Sequence, residues 1–404
     1  MSDRVRRLAE SYPPCHDAYR FTIDMIRSNP VLGRLGAYAI ATVQERARAM
    51  RAAGERVVDF SIGDPREPTP EFIPEALKAA VPDVSQYPTV HGLPVLREAI
   101  AAYIERRFGV SVDPRTEVLP TTGSKEAVFS TPLAFIDREA GDGVIWPTPG
   151  YPIYERGALL AGAIPFPVQL SGDYVFRESD ASDEAWRRAR LAWICTPHNP
   201  TGSITSLAEL EALQARSATE DVLLCSDECY ADLYDGEAPH SILEAGGTKG
   251  VLSFLSLSKR SGMTGYRSGA VVGDPEALTI LRSLRTGTGT APQEFIQVAA
   301  AAAWSDDDHA AQRREVFKAK RVIVSEAFAE LGFPTIASGA GLYVWVEVPD
   351  DVAMTERLLA YGVVVSPGSA FGAGGEGHIR LALVPTIEQC REAVEVVREC
   401  LSEN

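Results

Sequence analysis

Lys259 stands just after an apolar run, in SLSKRSGMTGYRSG, and Arg267 lies further along the same stretch. A lysine that serves solubility belongs on a polar helix face, so an amine in this place asks for a chemical role. Other reactive side chains follow other apolar runs in the same way. Asn199 comes in TPHNPTG, Asp227 and Tyr230 in SDECY, and Gly123 and Ser124 open a helical pattern in TTGSKEAVF. An amine adds to an aldehyde to form an imine. A carboxylate holds a proton on a ring nitrogen, and an amide and a phenol donate hydrogen bonds to a ring oxygen. Free N–H groups at a helix start, among small residues, suit a phosphate.

The elements that must bring these groups together are legible in outline. Val144–Trp146, Leu191–Cys195, Val222–Cys225, Val251–Leu255 and Ala270–Val272 are short, apolar and followed by turn residues, as buried strands are. Continuous apolar character predicts strands covered on both faces, as in a parallel sheet. Helical stretches such as SLAELEALQARS lie between several of them, which is the α/β pattern. In such sheets ligands gather at the carboxyl ends of the strands, so the residues after each run form one group.

From about Ser305 the pattern changes to a long amphipathic helix, the strands GLYVWVEVP, GVVVS and HIRLALV, and a last helix. The expected fold is therefore α/β, a large domain with a mostly parallel central sheet covered by helices, plus a smaller α+β domain. The large domain is assigned to residues 63–304 and the small one to 35–62 with 305–404. Residues 1–34 have weak periodicity and read as an N-terminal arm.

One small molecule uses every group named above: pyridoxal 5'-phosphate. Its aldehyde needs a lysine, its pyridine nitrogen a carboxylate, its ring oxygen hydrogen-bond donors and its phosphate a helix N-terminus.

With SIGDP, YPTVHGLPVLREAI, TTGSKEA, PTPGYPIY, TPHNPTG, SDECYADL, SLSKRSGMTGYRSG and GHIRLAL in this order, the chain from about residue 35 onward resembles the class I/II aminotransferases of the aspartate aminotransferase fold family. The resemblance implies roles residue by residue. Lys259 matches the lysine that bonds the cofactor aldehyde and moves the substrate α-proton. Asp227 matches the partner of the pyridine nitrogen, and Asn199 and Tyr230 the donors to the ring oxygen. Tyr151 matches the aromatic residue stacked on the ring. Gly123, Ser124, Ser256 and Arg267 match the phosphate cradle, and Lys125 is placed with them, although read alone it is a solvated side chain. Arg380 matches the arginine that grips the substrate α-carboxylate, Gly63 a backbone position near the same carboxylate, and Asn199 also borders the substrate. Tyr87 matches a tyrosine that reaches the neighbouring subunit's phosphate, which implies a homodimer.

The implied reaction moves an amino group between an L-amino acid and a 2-oxo acid, with glutamate and 2-oxoglutarate as the expected partner pair. Locally, GSKEAVF, SLSKRS and SDECY most resemble the succinyldiaminopimelate aminotransferase branch of bacterial lysine biosynthesis. Such a substrate carries a remote carboxylate, for which Arg285 or Lys125 is the candidate cation. An aspartate, aromatic or general amino-acid aminotransferase stays open, as does a pyridoxal-phosphate lyase or synthase on the same fold.

Composition narrows the alternatives. The chain has 404 residues, 45% hydrophobic, which is ample for a large core, and its net charge of −16 disfavours nucleic acid and anionic membranes as partners. The six cysteines include no C-x-x-C pair, and neither they nor the histidines have metal-ligand spacing, so no metal is expected and a reduced, cytoplasmic setting is. No apolar stretch suits a secretory signal or a membrane span. GAGGEG, residues 372–377, precedes a strand rather than a helix, and so fails as a dinucleotide fingerprint.

Overall fold

A computed structural model describes residues 29–35, 39–336 and 339–402. The N-terminal arm therefore lies outside the described residues up to 28. Residues Pro30–Arg34 form a short helix that belongs to a separate unit, 1–36.

In the unit 37–404, β1 (Val58–Asp59) is followed by β2 (Val118–Thr121), β3 (Gly143–Thr148), β4 (Ile164–Gln169), β5 (Ala189–Cys195), β6 (Leu223–Asp227), β7 (Val251–Ser256) and β8 (Gly269–Gly273). The last seven form one sheet in the order β2-β8-β7-β6-β5-β3-β4. β4, β3, β5, β6 and β7 run parallel, and β8 runs antiparallel to both of its neighbours. The strands expected from apolar runs are all present. Two more, β2 and β4, are not visible as such runs because prolines interrupt them: Pro120 in β2, Pro165 and Pro167 in β4. Both occupy sheet edges, where a strand tolerates the missing N–H.

The sheet is mostly parallel as expected, and β8 is its one antiparallel member. The connection from β7, residues 257–268, carries Lys259 and Arg267 in place of a long crossover helix, so the chain simply turns back. That reversal matters for the site. The start of β8, the ends of β2 and β7, and the ends of β3, β5 and β6 all meet at one edge of the sheet, with Thr121, Gly269 and Ser256 in one register row.

Helices cover the sheet. Leu207–Thr219 begins in a capping box in which Ser206 Oγ accepts from the Glu209 N–H and the Glu209 carboxylate accepts from the Ser206 N–H at 2.9 Å. Ser124–Phe135 starts at Gly123, whose φ of +81° favours a glycine. One core cluster on the sheet includes Trp193, Phe254, Leu252 and Val271, each 0% exposed. Burying side chains of this size stabilises by about 1.5–3 kcal/mol each.

The C-terminal part holds β9 (Thr335–Ile336), β10 (Tyr343–Glu347), β11 (Val363–Val364), β12 (Ser366–Pro367) and β13 (His378–Ala382). A four-stranded sheet runs β12-β13-β10-β9, and β11 pairs with β1. The helices Asp308–Glu330 and Ile387–Ser402 pack on it, and a second core collects Val58 and Phe60 with Phe317, Val324, Leu358 and Val397. No helix among the described residues is long and apolar enough to cross a membrane.

Candidate active site

A cavity of about 670 Å³ opens at the edge where these strand ends meet. Gly63, Ser124, Lys125, Tyr151, Asn199 and Asp227 line it, together with Tyr230, Ser256, Lys259, Arg267 and Arg380. Nearly every residue singled out in the sequence thus faces one space. Gly123 lies directly behind it, against Arg267. Tyr87 is 100% exposed and does not line the cavity of its own chain.

Asp227 ends β6 and is buried. Burial pushes its carboxyl above the usual range, and hydrogen bonds from Cys229 and Tyr154 pull it part of the way back. The Tyr154 hydroxyl donates to Oδ2 at 2.8 Å and the Cys229 N–H to Oδ1 at 3.3 Å. A carboxylate this enclosed suits a cationic partner, such as a protonated ring nitrogen, better than water.

Lys259 lies in the short helix Leu257–Arg260 that follows β7, and its ammonium donates to the Gly63 carbonyl. Enclosure lowers its pKa to about 8, against the opposing pull of Asp64. A lysine so placed is a better nucleophile at neutral pH than one in solvent.

Arg380, in β13, is 5% exposed. Its Nη1 donates to Asn199 Oδ1 at 3.0 Å and its Nη2 to the Ser61 carbonyl at 2.7 Å. The rings of Tyr343 and Phe371 lie 4.3 and 4.4 Å from its guanidinium carbon. Because arginine only donates, the Asn199 oxygen must face it, which leaves the Asn199 NH₂ to donate elsewhere in the cavity. Tyr230 Oη lies 2.9 Å from Tyr343 Oη, and burial pushes the Tyr230 phenol well above its ordinary pKa.

At the other end, Arg267 adopts φ +55° and its Nη1 donates to the Thr264 carbonyl at 2.9 Å. A Cβ on Gly123 would overlap the Arg267 guanidinium, and one on Gly269 would meet the Leu255 carbonyl at 2.6 Å and the Ser124 nitrogen at 3.1 Å. Bare backbone at both positions leaves a cradle of amides, hydroxyls and one guanidinium at a helix N-terminus. Those donors fit a phosphate, and with Lys259 and Asp227 in the same cavity they fit pyridoxal phosphate.

Two candidate cations separate here. Arg285 is 2% exposed, donates to Glu126 Oε2 at 2.6 Å and does not line the cavity, so it is neither a surface arginine nor a substrate contact. Lys125 does line it while staying exposed to solvent. Partial burial, then Arg267 and Arg156, lower its pKa, and its ammonium is 6.0 Å from the Tyr151 ring centroid.

The sequence alone does not single out Tyr154, Tyr343 or Ser61. Tyr154 carries a faint signal, since it lies one helical turn beyond Tyr151 in PGYPIY. Tyr343 reads as core in an apolar strand.

The fold and the cavity define a pyridoxal-phosphate enzyme whose sheet edge presents a lysine, an aspartate and an arginine. Comparison with known proteins narrows the class. Residues 55–397 match the family described as aminotransferase class I and II. A Nostoc protein named LL-diaminopimelate aminotransferase 2 is 37% identical over 380 residues, covering 91% of this chain and 97% of the relative. A double mutant of Thermus thermophilus aspartate aminotransferase superposes with a TM-score of 0.85 at 28% identity, covering 93% of this chain and 100% of that one. A Thermus thermophilus structure described as a probable N-succinyldiaminopimelate aminotransferase gives a TM-score of 0.84 at 28% identity, over 90% of this chain and 100% of that one.

The chain belongs to the class I and II aminotransferases. It has the aspartate aminotransferase-like fold and is a pyridoxal-phosphate-dependent enzyme whose substrates are small amino and oxo acids.

Proposed function

We propose that this enzyme transfers the amino group of a long dicarboxylic amino acid, LL-diaminopimelate first among them, to 2-oxoglutarate. The observation that carries the transaminase reading is the meeting of Lys259, Asp227 and Arg380 around one cavity. Support for the donor comes from the Nostoc relative named for LL-diaminopimelate. The succinylated form of the same compound is the second reading, favoured by the Thermus structure of that description. Either donor would place the reaction in lysine biosynthesis.

When bound, pyridoxal phosphate supplies an aldehyde for the amino group and a ring that withdraws electrons from the substrate α-carbon. The residues of this chain do the rest. Arg380 takes the α-carboxylate through its planar fork, with Asn199 and the Ser61 and Gly63 backbone bordering it. Lys259 carries the α-proton as a base near neutral pH. Asp227, held in place by the Tyr154 hydroxyl, would keep the ring nitrogen protonated. Asn199 and Tyr230 would donate to the cofactor's ring oxygen, and Tyr151 would pack on its ring. Gly123, Ser124, Ser256 and Arg267 would hold its phosphate. Lys125, at the cavity edge, reads the remote charge of the donor.

The proposal includes a small domain of 35–62 and 305–404 beside the large one, a cytoplasmic setting, and a homodimer in which exposed Tyr87 enters the partner's site. Sedimentation at the mass of two chains checks the last point.

The test of function is glutamate formation from 2-oxoglutarate with LL-diaminopimelate, N-succinyl-LL-diaminopimelate, aspartate and phenylalanine as donors. The highest kcat/KM is expected for LL-diaminopimelate. Release of ammonia and pyruvate without glutamate would instead make the enzyme a lyase.

A further inference from the structure

The turn that follows Lys259 is held by the start of the helix Asp308–Glu330. The Lys259 carbonyl accepts from Arg313 Nε at 3.4 Å. Arg260 is 3% exposed and donates to Asp232 Oδ2 at 3.1 Å, to Asp307 Oδ1 at 2.6 Å and to the Asp306 carbonyl at 2.8 Å. Its guanidinium carbon lies 4.8 Å from the Tyr103 ring centroid. Ser261 Oγ is 2.8 Å from His309 Nε2, and His309 Nδ1 is 2.6 Å from Asp306 Oδ1. Gly262, at φ +65°, accepts from the Thr69 hydroxyl, and a Cβ there would press on Arg313 Nη1 at 3.0 Å.

Asp306, His309 and Ser261 are joined in the order that activates a serine nucleophile. That role fails here, because Ser261 is 0% exposed and does not line the cavity. What the chain of hydrogen bonds does instead is fix a backbone. Burial pushes the His309 imidazole below its ordinary pKa, so the ring is neutral. With Nδ1–H donated to Asp306, Nε2 is left to accept the Ser261 hydroxyl.

We propose that His309, oriented by Asp306, and Arg313 are positioning residues for Lys259: they pin the turn 259–262 and thereby hold the amine inside the cavity at a fixed depth. The inference rests on the reading of Lys259 as the cofactor lysine. Burial of the amine depends on the turn that carries it. If the turn loosens, water reaches the ammonium and its pKa returns toward the solvated value of about 10.4.

The experiment follows Lys259 itself, by mass spectrometry, as acetic anhydride acetylates the cofactor-free protein across pH. His309→Ala is expected to raise the labelling midpoint by roughly one pH unit over wild type. His309→Gln, whose carbonyl can still accept from Ser261, is expected to stay close to wild type. In the holoenzyme, His309→Ala is expected to lose about tenfold in kcat with donor KM within about twofold, as misplacement of a reacting group does. A merely structural role would lower the melting temperature and leave the midpoint unmoved, and that result overturns the proposal. Should His309→Ala fail to fold, Ser261→Ala removes one hydroxyl from the same chain. A raised midpoint there supports the proposal, and a wild-type midpoint overturns it. If the cofactor proves to bond another lysine, the reading of the site fails, yet the Lys259 midpoints still report on the turn.

Discussion

Arg380 and Asn199, 181 residues apart in sequence, share a hydrogen bond of 3.0 Å inside a buried wall of the cavity. The pair joins the loop after β5 to β13, and it orients both side chains at once. Asn199 cannot rotate its amide without losing Arg380, and Arg380 keeps its fork fixed between Asn199 and the Ser61 carbonyl.

Arg380→Lys should therefore cost more than a charge-conserving change suggests. Lysine cannot bond Asn199, Ser61 and a carboxylate from one plane. Loss of charge-assisted bonds worth about 1.5–3 kcal/mol corresponds to a drop in kcat/KM of roughly 10- to 150-fold. Steady-state kinetics should show that drop mainly in donor KM, with the visible absorbance of the holoenzyme retained.

The lowered pKa of Lys259, about 8, makes a direct statement about reactivity. The neutral amine is the nucleophile, and its fraction rises as pH passes through that value. Cofactor uptake by the apoprotein, followed by absorbance in a stopped-flow instrument, should accelerate from pH 7 and level off near pH 9. Continued acceleration up to pH 10 would mean that the amine is solvated.

Asp227 bears on stability with the opposite sign from most carboxylates. Its folded pKa is raised by burial, so the folded apoprotein holds a proton that the unfolded chain releases near pH 4. Stability attributable to this group is present below that pH and is lost as pH rises through the folded value. Asp227→Asn removes the titration. Its cofactor-free form should melt no lower than wild type at pH 8, while the holoenzyme loses at least about a hundredfold in kcat, because the ring nitrogen has no anionic partner.

Lys125 is exposed, so its contribution is discounted for solvent screening. Lys125→Gln should lower kcat/KM for LL-diaminopimelate by about fivefold. A donor lacking a remote charge, such as alanine, should be unaffected. Equal losses for both donors would assign Lys125 to the phosphate end of the cavity instead.

Much of this site is legible in the sequence because its residues follow apolar runs that are strands. Lys259, Asp227 and Asn199 are found by that rule, and the antiparallel return of β8 brings Arg267 to the same edge. Contacts made across the chain are not legible. Tyr343 lies in an apolar strand and reads as core, yet its hydroxyl meets Tyr230 and its ring stacks under Arg380. Arg285 reads as a candidate cation for a remote carboxylate, because nothing local announces Glu126, 159 residues earlier, as its buried partner. β2 and β4 hide behind prolines that their edge positions tolerate. His309 gives no local sign of its bond to Ser261, 48 residues away.

The most direct measurement is the chemical trapping of the cofactor. Borohydride reduction of the purified holoenzyme, followed by peptide mass mapping, should leave the phosphopyridoxyl group on Lys259 alone. The same mass on a different lysine, or a visible band that survives Lys259→Ala unchanged, would contradict the account.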